Sequence, residues 1–192
     1  MPVILATAIW IALRSPRPSP HTQLFAAVAA LSTRPIEARI TSMAYVPLSR
    51  TRGTETTVEA SLLRLHGIAG GILSDTNTST DELHLRGVAS LLSGNNADAV
   101  RELESAARSA PANASVWADL AAARYEQGRV GDSPELIAGA LAAADHAIEI
   151  DRHSVVALFN RALALDALHI EYGASRAYSD YVSVDPAGSW AN

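Results

Sequence analysis

The spacing of apolar residues along much of the chain follows the period of a helix. In residues 59–73, for example, Leu62, Leu65, Ile68 and Ile72 fall on one helical face, which is typical of an amphipathic helix. From residue 79 onward the helical spacing is interrupted only by short stretches rich in Gly, Pro, Asn and Ser, which favour turns. The pattern predicts six further helices, over residues 80–92, 97–110, 115–127, 134–150, 154–168 and 171–184.

Residues typical of helix ends mark these boundaries. Ser79 and Glu82 have the spacing of a capping box. Pro134 stands at a first helical position, where its missing N–H leaves no hydrogen bond unmade. Asn96 is predicted to cap the second of the six helices, and Gly128 is predicted to end the third in the left-handed conformation.

A fixed distance of 34 residues relates equivalent positions in this part of the chain. It separates Gly94 from Gly128 and Asp151 from Asp185. A period of 34 with helical patterning is typical of stacked helix pairs. The sequence therefore predicts an all-α fold whose function is to present a surface to another molecule.

Bulky and small residues recur at equivalent places in the three predicted helix pairs. They are Leu83, Gly87, Gly94, Ala99, Leu103, Ala106 and Pro111; Trp117, Leu120, Gly128, Ala140, Ala144 and Ala147; and Leu158, Ala162, Leu165, Ala174, Tyr178, Tyr181 and Pro186. Together they resemble the tetratricopeptide repeat. The resemblance implies a right-handed superhelix of three antiparallel helix pairs, over residues 80–113, 114–154 and 155–186, after a less regular N-terminal segment.

The middle pair departs from the repeat. The interval from Gly128 to Ala140 is seven residues longer than that from Gly94 to Ala99, so the segment RVGDSPE must bulge as a loop or lengthen the fourth helix. A long middle repeat followed by ALFNRALALDAL and YSDYVSVDPAGSWA resembles the repeat region ahead of the caspase-like CHAT domain in certain bacterial proteins. This resemblance implies a bacterial scaffold in a larger CHAT-type system or, alternatively, a piece of a CHAT-type protease whose catalytic domain lies outside this chain.

The tetratricopeptide resemblance also implies a partner-binding groove lined by the first helix of each pair. Its residues would be Asp81, His84, Val88, Tyr125, Glu126, Phe159, Leu163 and Asp166. The Lys and Asn with which chaperone-binding members hold a terminal carboxylate are absent, because His84 and Val88 take those places. An apolar groove with an acidic rim suits a peptide with apolar anchors and Arg or Lys. In the alternative interpretation the apolar members simply face neighbouring helices.

The chain starts with an uncharged apolar run over residues 2–13 and a proline-rich spacer over 15–20. These 12 apolar residues would rise only about 18 Å as a helix, short of the ~30 Å hydrocarbon core of a bilayer. Three interpretations stay open: the end of a membrane anchor, a divergent secretory signal, or a helix packed on the domain. A membrane-anchored scaffold of envelope assemblies and a cytoplasmic protein therefore both fit.

Residues 21–79 are predicted to be less regular. An Ala-rich stretch over 23–31 favours a short helix, which Arg34-Pro35 stops. Residues 34–54 contain β-branched and aromatic residues, but Pro47 argues against a central strand. This stretch is predicted to be irregular, with at most a short strand, and no chemistry is assigned to it.

Charge and composition limit the classes of partner and of chemical site that the chain can have. Residues 1–79 carry seven Arg against four acidic residues, and residues 80–192 carry eight Arg against sixteen. The acidic helical half disfavours nucleic acid, because phosphate binding needs clustered basic charge. The chain has no Cys, which excludes disulfides, thiolate zinc sites and a cysteine nucleophile of the CHAT type within it.

No residue set has the spacing of a known catalytic, cofactor or metal motif. The six His residues lie outside any HExxH arrangement, and we interpret them as solvated or capping residues. The sequence therefore predicts a non-enzyme with no cofactor or metal, whose partner is a protein or peptide.

The end of the last repeat needs cover. Repeat arrays require a polar-faced terminal element, and only residues 187–192 follow Pro186. Tyr178, Tyr181 and Val182 are therefore predicted to be partly exposed. A capping helix that begins at residues 187–192, a C-terminal CHAT domain or a partner would cover them.

Overall fold

A computed structural model of the chain describes residues 18–48, 55–76 and 79–191. In these ranges the chain is all-helical, as predicted, and β-pairing is limited to one isolated bridge between Arg34 and Leu48. The predicted apolar run over residues 2–13 lies outside the described residues. The helices are α1 Pro20–Ala29, α2 Glu55–Leu73, α3 Thr80–Leu92, α4 Asn96–Ser109, α5 Ala114–Gly131, α6 Pro134–Ile150, α7 Val155–Ala167 and α8 Glu171–Val184, followed by a 3-10 turn, Ser189–Ala191.

The second half forms three helix pairs, α3 with α4, α5 with α6, and α7 with α8. Two of the predicted helix starts are made by the indicated side chains. Ser79 Oγ accepts a hydrogen bond from the N–H of Glu82 at 3.4 Å, and Ser133 Oγ accepts one from Leu136 at 3.3 Å. Consecutive helices pack on each other, and α5 also packs on α3 and α7. The first helices of the three pairs therefore share one face, which we call the inner face.

Two glycines allow helices to pack closely. A Cβ added to Gly87 would lie 2.5 Å from Leu103 Cγ, and one added to Gly128 would lie 2.8 Å from Ile137 Cδ1. Such contacts are too short for any side chain, so a larger residue would overpack them. Four small residues of the repeat pattern, Gly87, Ala99, Ala140 and Ala162, are buried, and so is Ala121.

The prediction that Gly128 ends a helix in the left-handed conformation is wrong. Helix α5 continues to Gly131, and the left-handed residue after it is Asp132, with φ of 49°. Gly128 serves packing against Ile137 instead of a turn. The segment RVGDSPE neither bulges nor lengthens the fourth of the six predicted helices. Its first three residues extend the third, α5, and α6 starts at Pro134.

The predicted cap at Asn96 is also wrong. The residue before α4 is Asn95, whose side chain makes no capping hydrogen bond, and Asn96 lies inside the helix. The turn between α3 and α4 is stabilised by hydrogen bonds at the C-terminus of α3 instead. Gly94 has φ of 80°, and the N–H of Asn95 donates to the carbonyl of Ser90 at 2.9 Å, a common C-terminal motif.

The N-terminal helices extend the array beyond its first pair. Helix α1 packs on α2, and α2 packs on α3. Helix α1 starts at Pro20, before the predicted residue 23, because Ser19 Oγ accepts from the N–H of Thr22 at 3.1 Å. Residues 30–48 are irregular, in line with the prediction for 34–48. Within the described ranges, none of the helices has the length and apolar character needed to cross a membrane.

Candidate functional site

The inner face is crossed by part of the chain's own N-terminal region. Residues 36–46, which we call the inner segment, run across α5 and α7 and reach α8 through Arg39. Apolar side chains of the segment belong to the same hydrophobic core as the helices. The buried ones are Ile36, Ala38, Ile40, Met43 and Val46.

A buried carboxylate of α5 holds the backbone of the inner segment. Glu126 Oε1 accepts hydrogen bonds from the N–H groups of Glu37 and Ala38, at 2.6 and 2.9 Å. Its Oε2 accepts from Arg129, at 2.8 Å from Nη2. Glu126 is 1% exposed, so these bonds replace the water that its charge would otherwise require.

Two further polar side chains continue this row of backbone contacts. Asn160 Oδ1 accepts from the N–H of Arg39, and Asn160 Nδ2 donates to the carbonyl of the same residue, both at 2.9 Å. Asp119 Oδ1 accepts from the N–H of Thr41 at 2.7 Å. Because all these bonds are to main-chain atoms, the inner face holds this segment through its backbone.

Side chains reinforce the backbone contacts around Glu37. The Tyr125 hydroxyl donates to Glu37 Oε2 at 3.1 Å, and Arg129 Nε lies 3.8 Å from the same oxygen. Burial raises the pKa of Tyr125, and the negative charge of Glu37 adds to the rise. The hydrogen bond to Glu126 raises the pKa of Arg129. The cluster therefore keeps Tyr125 neutral and Arg129 charged.

Arg39 ties the inner segment to the last helix pair. Its Nη1 donates to the Tyr181 hydroxyl at 3.0 Å and to Asp185 Oδ2 at 3.2 Å. Its guanidinium carbon also lies 5.3 Å from the centre of the Trp190 ring, within reach of a cation–π contact. Trp190 in turn packs edge-on against Phe159, with ring centres 5.3 Å apart.

These contacts correct the prediction that Tyr181 is partly exposed. Tyr181 is 1% exposed, because Arg39 and the aromatic cluster cover it. Val182 is 41% exposed, as predicted, and Tyr178 is half-buried, with its pKa raised to about 12 by burial and by the negative charge of Asp166. Residues 187–191 supply Trp190 as cover in a 3-10 turn, in place of the expected start of a capping helix.

The structure divides the predicted groove residues into two groups. Tyr125, Glu126, Phe159 and Leu163 are buried, and the first two bind the inner segment; Asp166 is exposed at the end of α7. The other three predicted residues, Asp81, His84 and Val88, lie together on the wall of a cavity.

This second site, which we call the first-repeat cavity, has a volume of about 940 Å³ and lies between α1, α2 and α3. Thr41 and Ser42 of the inner segment close it on one side. Its apolar lining is formed by Phe25, Ile68, Ile72, Leu85 and Val88. Its acidic lining is formed by Asp75, Asp81, Glu82 and Asp119.

A histidine–aspartate pair marks the border between the filled and the open part of the inner face. His84 Nε2 lies 2.7 Å from Asp119 Oδ2, and the other oxygen of Asp119 binds the inner segment. Burial disfavours the charged form of His84, but the hydrogen bond and charge of Asp119 outweigh burial, so the pKa of His84 is raised. The prediction that this histidine is solvated or capping is therefore wrong.

The pair invites comparison with a catalytic dyad. Ser42 lines the same cavity and has φ of 64°, but no hydrogen bond joins it to His84 among the described residues. A nucleophile and its base need to lie within hydrogen-bond reach. In the same part of the chain no group of three or more His, Cys, Asp or Glu residues could hold a metal ion.

Sequence reasoning missed Asp119 and Asn160, which hold the inner segment. A signal existed for both. Each interrupts an otherwise apolar or small stretch at mid-helix, Asp119 in WADLAAA and Asn160 in VALFNRALAL. A polar residue at such a place is costly unless it has a buried partner.

Comparison with known proteins shows which fold the chain resembles. No protein-family model matches the chain, and no curated protein matches it. The crystal structure of MamA, a protein with tetratricopeptide repeats, is similar, with a TM-score of 0.52 and 17% sequence identity over 72% of this chain and 77% of that chain. At this identity the likeness concerns the fold, and it confirms the predicted tetratricopeptide-like helical repeat.

Proposed function

We propose that this chain is a non-catalytic helical-repeat scaffold that binds a segment of another protein at the first-repeat cavity. The supporting observation is the division of the inner face. Over α5 and α7 the face is filled by the inner segment, whereas at α3 a cavity of about 940 Å³ remains beside it. Pockets of this size typically bury most of a ligand's surface.

The helix wall of the cavity offers a test with a matched control. Gly71 lines the cavity, and Gly70 beside it does not. No atom lies within 4 Å of a Cβ added at either position. Replacing either glycine by leucine should therefore leave the fold intact, but only Gly71→Leu places a side chain in the cavity.

The experiment is affinity capture by the full chain followed by mass spectrometry. We expect the same partner to be recovered with wild type and Gly70→Leu and to be lost with Gly71→Leu. Thermal melts of all three proteins check that the fold is retained. Equal recovery by the three folded proteins contradicts the proposed site.

The non-catalytic part of the proposal has its own test. It is supported by the missing hydrogen bond between Ser42 and His84 and by the use of Asp119 as a backbone acceptor. We expect no turnover with panels of chromogenic esters and peptides. Hydrolysis that disappears in both Ser42→Ala and His84→Ala would contradict it.

We further propose that the scaffold is the repeat portion of a larger bacterial CHAT-type system, either as a partner or in one continuous protein. Its support is the resemblance of the long middle repeat and of the two segments that follow it. The coding sequence after residue 192 tests the continuous form, which requires His and Cys motifs in the same frame. A stop codon there, with no CHAT gene nearby, would contradict both forms.

A membrane tether through residues 2–13 stays a separate proposal, based on their uncharged apolar sequence. We expect a tethered chain to stay with the membrane fraction after a high-salt wash and to leave it when residues 2–13 are deleted. Recovery of the full chain in the soluble fraction would contradict the tether.

A further inference from the structure

Building on the proposed function, we infer that the first-repeat cavity accepts a positively charged peptide segment with apolar anchors. Apolar side chains at alternate positions fill the cavity, and an arginine or lysine between them meets its acidic rim. The partner is thus defined by its charge and by its apolar side chains.

The charges around the cavity exclude an acidic ligand. Four carboxylates belong to its lining, against the guanidinium groups of Arg64 and Arg86. Arg86 is already paired with Glu102, at 3.0 Å from Nη2 to Oε1, and Asp119 with His84, at 2.7 Å. The remaining balance is negative, and a cationic segment is both attracted to such a rim and selected by it.

The apolar lining requires hydrophobic anchors as well. Phe25, Ile68 and Leu85 belong to three different helices, and each is only partly buried by the rest of the core. An apolar side chain placed between them would remove water from all three. Burial of apolar surface is the main favourable contribution to most protein associations.

The inner segment shows the kind of chain that this face holds. Ile36, Ala38 and Ile40 alternate inward, and each is buried. Arg39 stands between them and reaches a carboxylate, that of Asp185. The segment turns beside the cavity wall at Thr41 and Ser42. A partner with the same pattern of apolar and charged side chains would occupy the cavity next to this turn.

The test uses three labelled peptides of about ten residues, roughly 33 Å when extended. All three alternate leucine with a polar residue, and that residue is arginine, glutamine or glutamate. Binding to the full chain is measured by fluorescence anisotropy. We expect the arginine peptide to bind at least about tenfold more tightly than the glutamine peptide, and more weakly as salt is raised. We expect no binding of the glutamate peptide.

Variants of the chain locate the binding. Gly71→Leu, which fills the cavity, and Asp81→Arg, which reverses a rim charge, should each weaken binding of the arginine peptide by at least about tenfold. The matched controls are Gly70→Leu, on the same helix but outside the cavity, and Glu149→Arg, an equal charge reversal on α6. The controls should stay within about twofold of wild type.

Each other outcome overturns the inference. Equal binding of the glutamate and arginine peptides would show that charge does not select the partner. Equal loss in Glu149→Arg and Asp81→Arg would show that only net charge attracts the peptide. A second copy as occupant would appear as a dimer by light scattering, lost in Gly71→Leu. If affinity capture depends on Gly71 but the peptides show no preference for arginine, the scaffold proposal stands and this inference fails.

Discussion

The inner face has two parts that use carboxylates differently. Over α5 and α7, Glu126 and Asp119 are 1% exposed and accept hydrogen bonds from backbone N–H groups. At α3, Asp81 is exposed to solvent on the rim of a cavity. In the first part the charge is needed for folding, whereas in the second it is available to a partner. The same residue type on the same face thus serves structure in one place and recognition in the other.

The comparison shows why the predicted groove residues do not form one site. Tyr125 and Glu126 hold the inner segment, whose buried side chains belong to the core. Displacing the segment would expose those side chains and leave buried polar groups unpaired, which costs much more than one peptide contact returns. We therefore expect partners at the open part.

The largest loss of stability is expected from Glu126→Leu. The change removes the acceptor for the N–H groups of Glu37 and Ala38 and leaves Arg129 without its closest partner. We expect the free energy of unfolding, measured by urea denaturation, to fall by about 3–5 kcal/mol, because each of the two N–H groups left unpaired costs about 1–3 kcal/mol. The control is Glu149→Leu, at an exposed position on α6, with a change within about 0.5 kcal/mol. A fall below about 1 kcal/mol in Glu126→Leu would mean that the segment is held mainly by its apolar side chains.

The next effect concerns the closure of the last repeat. Trp190→Ala removes the ring that packs on Phe159 and faces Arg34 and Arg39. We expect a loss of about 3 kcal/mol in urea denaturation, at the lower end for a buried tryptophan. Tyr172→Ala, at a side chain 83% exposed, should be nearly neutral. An equal effect of the two changes would contradict the role of Trp190 as cover.

Two glycine substitutions should have opposite signs. A Cβ at Gly87 would meet Leu103 at 2.5 Å, so Gly87→Ala should lower the free energy of unfolding by about 1–3 kcal/mol. A Cβ at Gly71 meets nothing within 4 Å, so Gly71→Ala should raise it by about 0.5–1 kcal/mol through better helix propensity. Thermal denaturation of both variants measures the difference. A destabilised Gly71→Ala would show that the cavity wall is packed.

The smallest effect is a dependence on pH at the border between the two parts. Because the pKa of His84 is raised in the folded chain, its pairing with Asp119 adds stability below the ordinary value of about 6.5, and the gain is lost as pH rises through the raised pKa. We expect the stability advantage of wild type over His84→Gln to shrink between mildly acidic and mildly alkaline pH. The same comparison in an Asp119→Asn background should show no such trend. A trend that persists there would assign the effect to another group.

Local signals in the sequence were sufficient to predict the helices. They were insufficient to predict the inner segment that covers them. Ser79 and the Ser133-Pro134 pair act within a few residues, so the starts of α3 and α6 were predicted correctly. Gly128 misled because glycine serves both left-handed turns and close packing, and only the neighbouring Ile137 decides between them. Even there the error was one of boundary, since the existence of α5 was predicted.

The covering of the inner face was out of reach of local reasoning. The bonds from the inner segment join residues 78 to 146 positions apart in the chain. Residues 34–54 lack helical periodicity, and nothing in their own sequence indicates what they contact. Glu126 was placed on the correct face, but its partners, the N–H groups of Glu37 and Ala38, carry no side-chain signature.

The bond between Arg39 and Asp185 has a consequence for how the molecule comes apart. A stack of helical hairpins ordinarily unfolds from its ends, because each hairpin contacts only its neighbours. Here Arg39 of the inner segment forms an ion pair with Asp185, at the end of the final hairpin, with Nη1 3.2 Å from Oδ2. The final hairpin cannot loosen without losing this bond to the inner segment, so we expect the inner segment and the last helix pair to unfold together.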